Sequence, residues 1–557
     1  MTRPASPPRL PMILVVAIFV ALSGLAMELT WQQPRRIHPA QPLPAPVQDV
    51  APVKLARPDA LIVSTSLRDL PRDLLKVPLL RAVLTEDFVF YYQQNSHLLG
   101  IEGTLRRIAY EHGLSMRDDA IALLLDRPAD IALWRGEDGR LSHWMIDTDG
   151  HAWLPLLKIA ARLAGSDTAI KQAAILPLLG SDGTPIYQLD YGVGRSVFFV
   201  GANGHLVLFS DLAMADGEGY GDATGRNRFW QALLASGRTH GPLRSHFGLQ
   251  DFSGKHALVI DADALSFNYQ HFAPDIEALR FDFDGQRWAS YLRLAPGSAA
   301  DFDTAGLWQA LPDDPGLCVG VPLDLKRLQP ALQRLQHDDP KVDPALAGAF
   351  GNPAAVCWFA SGSIYTPLAL VPVRDGARWD DAVGALFKDG VGNSWPRYRN
   401  ADTSSDAGAS PPASTAIPGS DKVWTNVVPT DFGSYAMTLA RARGWLVFSP
   451  NAKAVRDTVA AIGRLRPTLA DPLSKGDGRV VAVITPSTLS QLLRGAIGGD
   501  LPEDKQPLFH KAAAERLLPR LDALGKFPPY VLSLPSALDT THRYWQPITW
   551  RALPAAR

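Results

Sequence analysis

The sequence predicts an α+β protein, with antiparallel sheets and flanking helices, preceded by one N-terminal transmembrane helix. Three observations lead to this prediction. Residues 10–27 form an apolar run without a charged side chain. Short alternating segments flank glycine turns, and segments with leucines at helical spacing follow several of the predicted strands. The composition is that of a globular protein, since 46% of the 557 residues are hydrophobic and 20% are charged.

The apolar run is interpreted as a membrane anchor at residues 1–31. A helix needs roughly 20 apolar residues to cross a bilayer, with about 17 as the lower limit, and Trp31 lies where an interfacial aromatic residue belongs. Arg3 and Arg9 precede the run, which favours a cytoplasmic N-terminus. A cleaved signal peptide is the alternative. Both interpretations export the body of the chain, so we expect an inner-membrane, single-pass protein with its bulk in the periplasm.

Residues 32–57 are predicted to be a linker. Prolines recur at positions 34, 39, 42, 44, 46 and 52, and such a segment favours extended polyproline geometry, either as a semi-rigid spacer or as a disordered stub. A second biased segment, residues 401–420, is low in complexity and poor in bulky apolar side chains. We predict that it forms a surface loop.

The body divides into two predicted α+β halves, residues 58–252 and 253–557. The first half has a hairpin at residues 131–147 and a three-strand meander at residues 187–210. The second half has a strand at residues 317–321 followed by two strand pairs, and a helix follows each of these three groups. Because GHLVLFS at residues 204–210 resembles GWLVFS at residues 444–449, we predict an internal duplication. Chance reuse of strand and helix runs is the alternative.

The cysteine count is low. Cys318 and Cys357 are the two cysteines of the chain, and both lie in strand-like apolar runs. They exclude a disulfide-dense scaffold. In an oxidising envelope they could pair as a disulfide, and two buried free thiols are the alternative.

The search for chemistry finds no catalytic motif. A phosphate-binding loop, a GxSxG elbow and an HExxH motif are absent from the sequence. Four residues around one turn, His143, Asp147, Asp149 and His151, are weak candidates for a zinc or manganese site, and ordinary turn chemistry is the alternative. We name no catalytic residue and expect no cofactor. The net charge of −1 argues against a nucleic-acid partner.

Several segments resemble a known family. They are RPDAL at 57–61, LRDLPRDLL at 67–75, PLL at 78–80, LTEDFVFYY at 84–92, RIAYEH at 107–112 and AVCW at 355–358. With these segments the chain resembles the YfaA-like family of Gram-negative envelope proteins of unknown function. The resemblance implies a genetic neighbourhood with a bacterial alpha-2-macroglobulin, a protease-trapping protein, and it carries no catalytic residue over.

We therefore expect a non-enzymatic protein that acts through protein–protein interaction, with an alpha-2-macroglobulin-like envelope protein as a candidate partner. Two alternatives stay open. One is a periplasmic hydrolase with an unrecognised site, for which a nucleophile and a base within hydrogen-bond reach would speak. The other is a lipid- or small-molecule-binding protein, for which an enclosed apolar cavity would speak.

Overall fold

The fold is taken from a computed structural model of the chain, in which two compact units are described. The described residues are 54–66, 69–74, 127–136, 141–149, 170–176, 183–192, 195–216, 223–235, 241–249, 252–265, 273–295, 303–363, 366–394, 416–430, 433–474, 477, 479–499, 518–538 and 545–554. The first unit holds those of Leu10–Asn268 and Glu277–Tyr291. The second unit holds those of Tyr269–Ile276 and of the chain from Leu292 onwards.

Among the described residues, ten strands and five helices lie wholly or mostly in the first unit. The strands are β1 (Ala60–Ser64), β2 (Ala129–Arg135), β3 (Leu141–Asp149), β4 (Ile170–Leu176), β5 (Thr184–Gly192), β6 (Arg195–Ala202), β7 (His205–Phe209), β8 (His256–Asp261), β9 (Ile276–Phe283) and β10 (Trp288–Leu294). The helices are α1 (Asp69–Leu74), α2 (Ala213–Asp216), α3 (Ala223–Ala235), α4 (Pro242–Phe247) and α5 (Ala262–Leu265).

All described pairings among strands β1 to β9 of the first sheet are antiparallel. Its order is β9-β8-β1-β2-β3-β7-β6-β5-β4, and β10 pairs with β9. Helix α3 covers one face, where the Trp230 ring meets the Phe209 ring of β7 at 5.2 Å between centroids. Trp288 of β10 donates from its indole Nε1 to the Asp73 carbonyl at 3.0 Å, which ties α1 to the sheet.

The second unit contains nine strands and six α-helices among the described residues. The strands are β11 (Leu317–Val321), β12 (Ala354–Trp358), β13 (Leu368–Pro372), β14 (Lys422–Thr430), β15 (Gly433–Ala442), β16 (Trp445–Ser449), β17 (Arg479–Ile484), β18 (Tyr530–Leu534) and β19 (Trp545–Ala552). The helices are α6 (Ala305–Ala310), α7 (Gln329–Asp338), α8 (Asp380–Ser394), α9 (Ala452–Ile462), α10 (Pro486–Gly499) and α11 (Leu518–Leu524). Short 3-10 turns at Leu325–Leu328, Pro344–Gly348 and Gly376–Trp379 precede or follow α7 and α8.

The second sheet is also antiparallel, in the order β19-β18-β17-β11-β12-β13-β16-β15-β14. Neighbouring residues of β16 enter different cores, because successive side chains of a strand point to opposite faces. Val447 joins a cluster with α6 and α9, and Leu446 joins a cluster with α7 and α8. The sheet is thus the middle layer of three.

The predicted mixed fold of antiparallel sheets and helices is confirmed in this general form. The structure contains the predicted hairpin as β2 and β3, and the helix predicted after the last strand pair is α9. The predicted anchor and linker lie outside the described residues, and within the described part no helix is long and apolar enough to span a membrane. The predicted boundary at 252/253 falls inside the first unit, and the division into halves stays a prediction.

Candidate functional site

A serine, a histidine and an aspartate meet in the interior of the first unit. Ser64 is the last residue of β1, His256 is the first residue of β8, and the two are cross-strand partners. Directly opposed side chains of an antiparallel pair lie about 5 Å apart at Cβ, which brings the hydroxyl to the imidazole. Asp73 comes from α1 and reaches the far side of the ring. We call Ser64, His256 and Asp73 the buried triad.

The hydrogen bonds of the buried triad define one tautomer. Ser64 Oγ lies 2.9 Å from His256 Nδ1, and His256 Nε2 lies 3.1 Å from Asp73 Oδ2. Asp73 accepts from the Lys255 ammonium at 2.7 Å, so its carboxylate is an acceptor and Nε2 of the ring donates to it. In a neutral ring Nδ1 then accepts from the Ser64 hydroxyl. The same hydroxyl oxygen accepts from the Ser66 amide at 3.1 Å.

The hydroxyl, the imidazole and the carboxylate follow one another as a nucleophile, a base and an orienting carboxylate do in a catalytic triad. A hydroxyl that donates to an imidazole nitrogen can lose its proton to that nitrogen when it attacks an electrophile. The carboxylate on the opposite nitrogen would stabilise the imidazolium that forms. The arrangement therefore contains the parts of an activated serine, with the two ring nitrogens exchanged relative to the serine-protease template.

The surroundings of the buried triad are closed and aromatic. His256 stacks on Phe283 at 5.8 Å and on Trp288 at 6.4 Å between ring centroids. Ser64, Asp73 and His256 are at most 1% exposed. Burial lowers the pKa of His256 below its ordinary value, against the opposing effect of Asp73. The ring is therefore neutral at pH 7, which agrees with the tautomer derived from the hydrogen bonds.

The network reaches the surface through Lys255. Its ammonium bridges Asp73 and Asp69, the latter at 2.8 Å, and both Lys255 and Asp69 side chains are about 30% exposed. The hydrogen bonds to Asp69 and Asp73 raise the pKa of Lys255. A chain of polar groups thus runs from solvent to a buried hydroxyl.

A second buried cluster lies on the opposite face of the first sheet. Asp130 of β2 and Asp147 of β3 are cross-strand partners, and like charges in this position repel. Each has a cationic or hydrogen-bonding partner. The Arg244 guanidinium of α4 donates to both Asp130 oxygens at 2.6 and 2.7 Å, and His205 Nδ1 lies 2.9 Å from Asp147 Oδ1.

Three of the four residues of the predicted metal site are described, and all three lie on β3. His143, Asp147 and Asp149 lie on the same face of β3, and the four-residue separation places His143 and Asp147 about 13 Å apart along the strand. Asp147 bonds to His205, and Asp149 lies 4.0 Å from Arg127. Burial lowers the pKa of His143, although Asp211 opposes this effect. His151 lies outside the described residues, and no group of three metal-ligating side chains occurs among the described ones.

The two cysteines are neighbours on adjacent strands. Cys318 of β11 and Cys357 of β12 are direct cross-strand partners with Cα atoms 4.0 Å apart. The structure has them bonded as a disulfide in the core between the sheet and helices α6 and α9.

The sequence did not reveal the buried triad. Asp73 and Ser64 lie 183 and 192 residues from His256, and no fixed spacing links groups that meet only through strand pairing. A polar residue at the end of each apolar run, LIVS and HALVI, is the local signal that was available. Asp147 was singled out by sequence, whereas its partner His205 was not.

The described residues define an α+β protein whose buried histidines, His143, His205 and His256, all lie in the first unit. Comparison with known proteins gives the family. A family model described as "Uncharacterized protein conserved in bacteria (DUF2138)" matches residues 11–550. "Uncharacterized protein YfaA" of Escherichia coli (strain K12) is 30% identical over an alignment of 538 residues, and the match covers 92% of this chain and 92% of that protein. The chain belongs to this family of uncharacterised bacterial proteins, and the YfaA-like resemblance is confirmed.

One solved structure has a low similarity to this chain. "Structure of crystal form IV of TP0453" is 10% identical, covers 46% of this chain and 83% of that chain, and has a TM-score of 0.23.

Proposed function

We propose that the chain is a non-enzymatic protein of the bacterial cell envelope that acts by binding another protein. In this proposal residues 1–31 anchor it in the inner membrane, residues 32–57 form the spacer, and the two α+β units stand in the periplasm. The proposed partner is an alpha-2-macroglobulin-like protein, which rests on the family resemblance alone. The proposal goes beyond the family assignment, which names no activity.

One observation carries the non-enzymatic part of the proposal. Among the described residues, the triad with the geometry for catalysis is enclosed, since Ser64, Asp73 and His256 are at most 1% exposed and aromatic rings flank the imidazole. A nucleophile must reach a bound substrate within about 3 Å. In this conformation the triad works as an internal polar clamp that holds α1 and β8 to β1.

We also propose that the two units are copies of one ancestral unit, and the strand register supports this. In each sheet, one row of directly opposed residues, with one residue from each strand, crosses eight strands. It is Phe281, Leu258, Ile62, Ile131, Ile146, Leu208, Phe199 and Tyr187 in the first sheet. It is Leu532, Ala482, Val319, Val356, Ala369, Phe448, Leu439 and Trp424 in the second. The strands follow the same order along the chain in both rows.

The turns support the same proposal. The β6–β7 turn has Asn203 and Gly204 at φ 50° and 83°, and the β15–β16 turn has Arg443 and Gly444 at φ 45° and 82°. Each glycine lies four residues before its member of the row, Leu208 or Phe448. Under this correspondence the buried triad is specific to the first unit, because Ser64 corresponds to Val321, the last residue of β11.

The binding proposal is tested in intact envelopes. A lysine-reactive cross-linker is applied to cells that carry the tagged full chain, and captured proteins are identified by mass spectrometry. An envelope protein should be recovered above the level of an untagged control, with an alpha-2-macroglobulin as the expected one. Recovery of no envelope protein above that level overturns the proposal.

A serine hydrolase is the second candidate, and the buried triad is the observation that favours it. The test uses a fluorophosphonate probe on the purified full chain, with Ser64→Ala as the matched control. Our proposal expects no labelling that depends on Ser64. Labelling that disappears in Ser64→Ala would show that the serine becomes accessible, and the hydrolase would then replace the binding protein as the proposed function.

A further inference from the structure

The two sheets differ at one edge. In the first sheet β4 lies outside β5 and pairs with it from Ile170↔Leu189 to Leu176↔Thr184. The strand that corresponds to β5 is β14, because Tyr187 and Trp424 occupy the same place in the eight-strand row. Within the described residues β14 pairs with β15 alone. The place that β4 occupies in the first sheet thus has no described strand in the second.

Burial follows the same difference. Ile186, Tyr187 and Leu189 of β5 are 0%, 8% and 5% exposed. Their counterparts Val423, Trp424 and Asn426 are only half-buried, although both faces of the sheet near them are covered. Val423 packs against the core that contains α6 and α9, and Trp424 against the core that contains α7 and α8. Within the described residues, no strand pairs with the outer edge of β14 beside these side chains.

The composition of the chain before β14 differs from that of β4. The sequence IKQAAIL of β4 has an apolar residue at each end, and both Ile170 and Leu176 are buried. The corresponding stretch of the second unit includes residues 401–420, ADTSSDAGASPPASTAIPGS. It contains three prolines, which cannot donate to a ladder, and it is poor in β-branched and aromatic residues. The composition of this stretch is therefore unfavourable for a strand at this edge.

We infer that the outer edge of β14 at Val423–Asn426 receives an extended segment of another protein by β-strand addition. In this mode main-chain hydrogen bonds give affinity and alternate side chains give specificity. From the β4 template the segment is about seven residues long, runs antiparallel to β14 and has an apolar residue near each end. This inference rests on the proposed binding function and names its surface.

The test places a photo-cross-linking residue, p-benzoylphenylalanine, at position 426 of the full chain in its native envelope. The matched control carries it at position 333, since Gln333 is exposed on α7 of the same unit. We expect a cross-linked species at position 426 and none at position 333. Mass spectrometry should place the link in a segment of another protein with the β4-like pattern.

Binding is then measured with a synthetic peptide of the linked segment and the purified full chain. Thr425→Pro removes a backbone donor from the edge strand and Asn426→Lys places a charge there. Each should weaken binding at least tenfold without lowering the melting temperature by more than a few degrees. If Thr425→Pro fails to fold, Asn426→Lys alone decides.

Four results would overturn the inference. They are a link to residues 401–420 of the same chain, a link to a second copy, no link at position 426, or equal peptide binding by the variants and the parent chain. If the lysine-reactive cross-linker still captures an envelope partner in such a case, the binding function stands and only its location at β14 falls. If neither reagent captures a partner, both proposals fall.

Discussion

At the scale of single residues, the first sheet has ionisable groups at positions where the second sheet has apolar residues. Asp130 corresponds to Ala355, because Ile131 and Val356 share a place in the row of strand partners. Ala355 lies in an apolar core. The fold therefore does not require a charge at this position. Buried ion pairs often add little net stability, and they can instead select one packing among alternatives.

The Asp130–Arg244 pair gives a first prediction. Arg244→Met removes the guanidinium from a carboxylate that is 2% exposed, and we expect a loss of about 3–5 kcal/mol in the free energy of unfolding. The double variant Asp130→Ala with Arg244→Met should recover most of this loss, because it leaves no unpaired charge and places an alanine where the second unit also has one. Urea unfolding of the two single variants and the double variant measures the coupling. Additive losses would contradict the argument.

His256 gives a prediction about pH. Burial lowers the pKa of His256 in the folded state, below the value of 6.5 expected in the unfolded chain. The unfolded state thus binds the proton first as the pH falls through 6.5, and stability is lost on the acid side until the folded imidazole is protonated too. His256→Gln should flatten the decline of unfolding free energy between pH 7.5 and 5. His143→Gln should act in the same direction, because burial also lowers the pKa of His143.

The exposed His337 of α7 supplies the control for this experiment. His337→Gln should leave the pH dependence as it is in the parent chain. An equal change of slope in His337→Gln and His256→Gln would remove the basis of the prediction. The absolute stability of His256→Gln is not the readout, since the substitution also breaks the hydrogen bonds to Ser64 and Asp73.

At the scale of elements, the turns carry most of the information that the sequence offers. The hairpin of β2 and β3 and the meander of β5, β6 and β7 could be predicted, because glycine and asparagine mark the turns and apolar residues alternate beside them. Strand β4 was not predicted. Its sequence IKQAAIL places two polar residues together at Lys171 and Gln172, beside a register shift between Gln172 and Ala174 that breaks the alternation.

The β15–β16 turn gives a prediction at this scale. Gly444 has φ 82°, and an added Cβ would meet nothing closer than the Val373 carbonyl at 3.7 Å. The cost of Gly444→Ala is therefore that of the backbone conformation, about 1–2 kcal/mol. Gly306→Ala in α6 is the matched control, since its Cβ would enter open space and alanine favours a helix. Urea unfolding should show a loss for Gly444→Ala alone, and equal effects would refute this reading of the turn.

At the scale of the whole molecule, the order of the strands is the property that the sequence could not supply. Local patterns predict single strands, whereas the pairing of β1 with β8 or of β11 with β17 joins residues far apart in the chain. The buried triad depends on one such pairing and was invisible for the same reason. The likeness of residues 204–210 and 444–449 predicted a duplication from one hairpin, and the eight-strand row now supports it along the width of each sheet.

Reducing conditions should affect the stability of the second sheet and not that of the first. Cys318 and Cys357 take the places of Leu61 and Ala132, because both pairs lie one residue beside the row. A disulfide that closes a separation of 39 residues stabilises by about 4 kcal/mol in the chain-entropy description. Reduction should therefore accelerate hydrogen exchange in β11, β12 and β13, and leave exchange in β1, β2 and β3 unchanged.

The double variant Cys318→Leu with Cys357→Ala copies the residues of the first sheet. It should therefore be insensitive to reductant and more stable than the double serine variant, which buries two hydroxyls. Peptide-resolved hydrogen exchange with and without reductant measures both effects. If reduction accelerates exchange equally in the two sheets, the disulfide does not stabilise the second unit specifically, and the prediction is wrong.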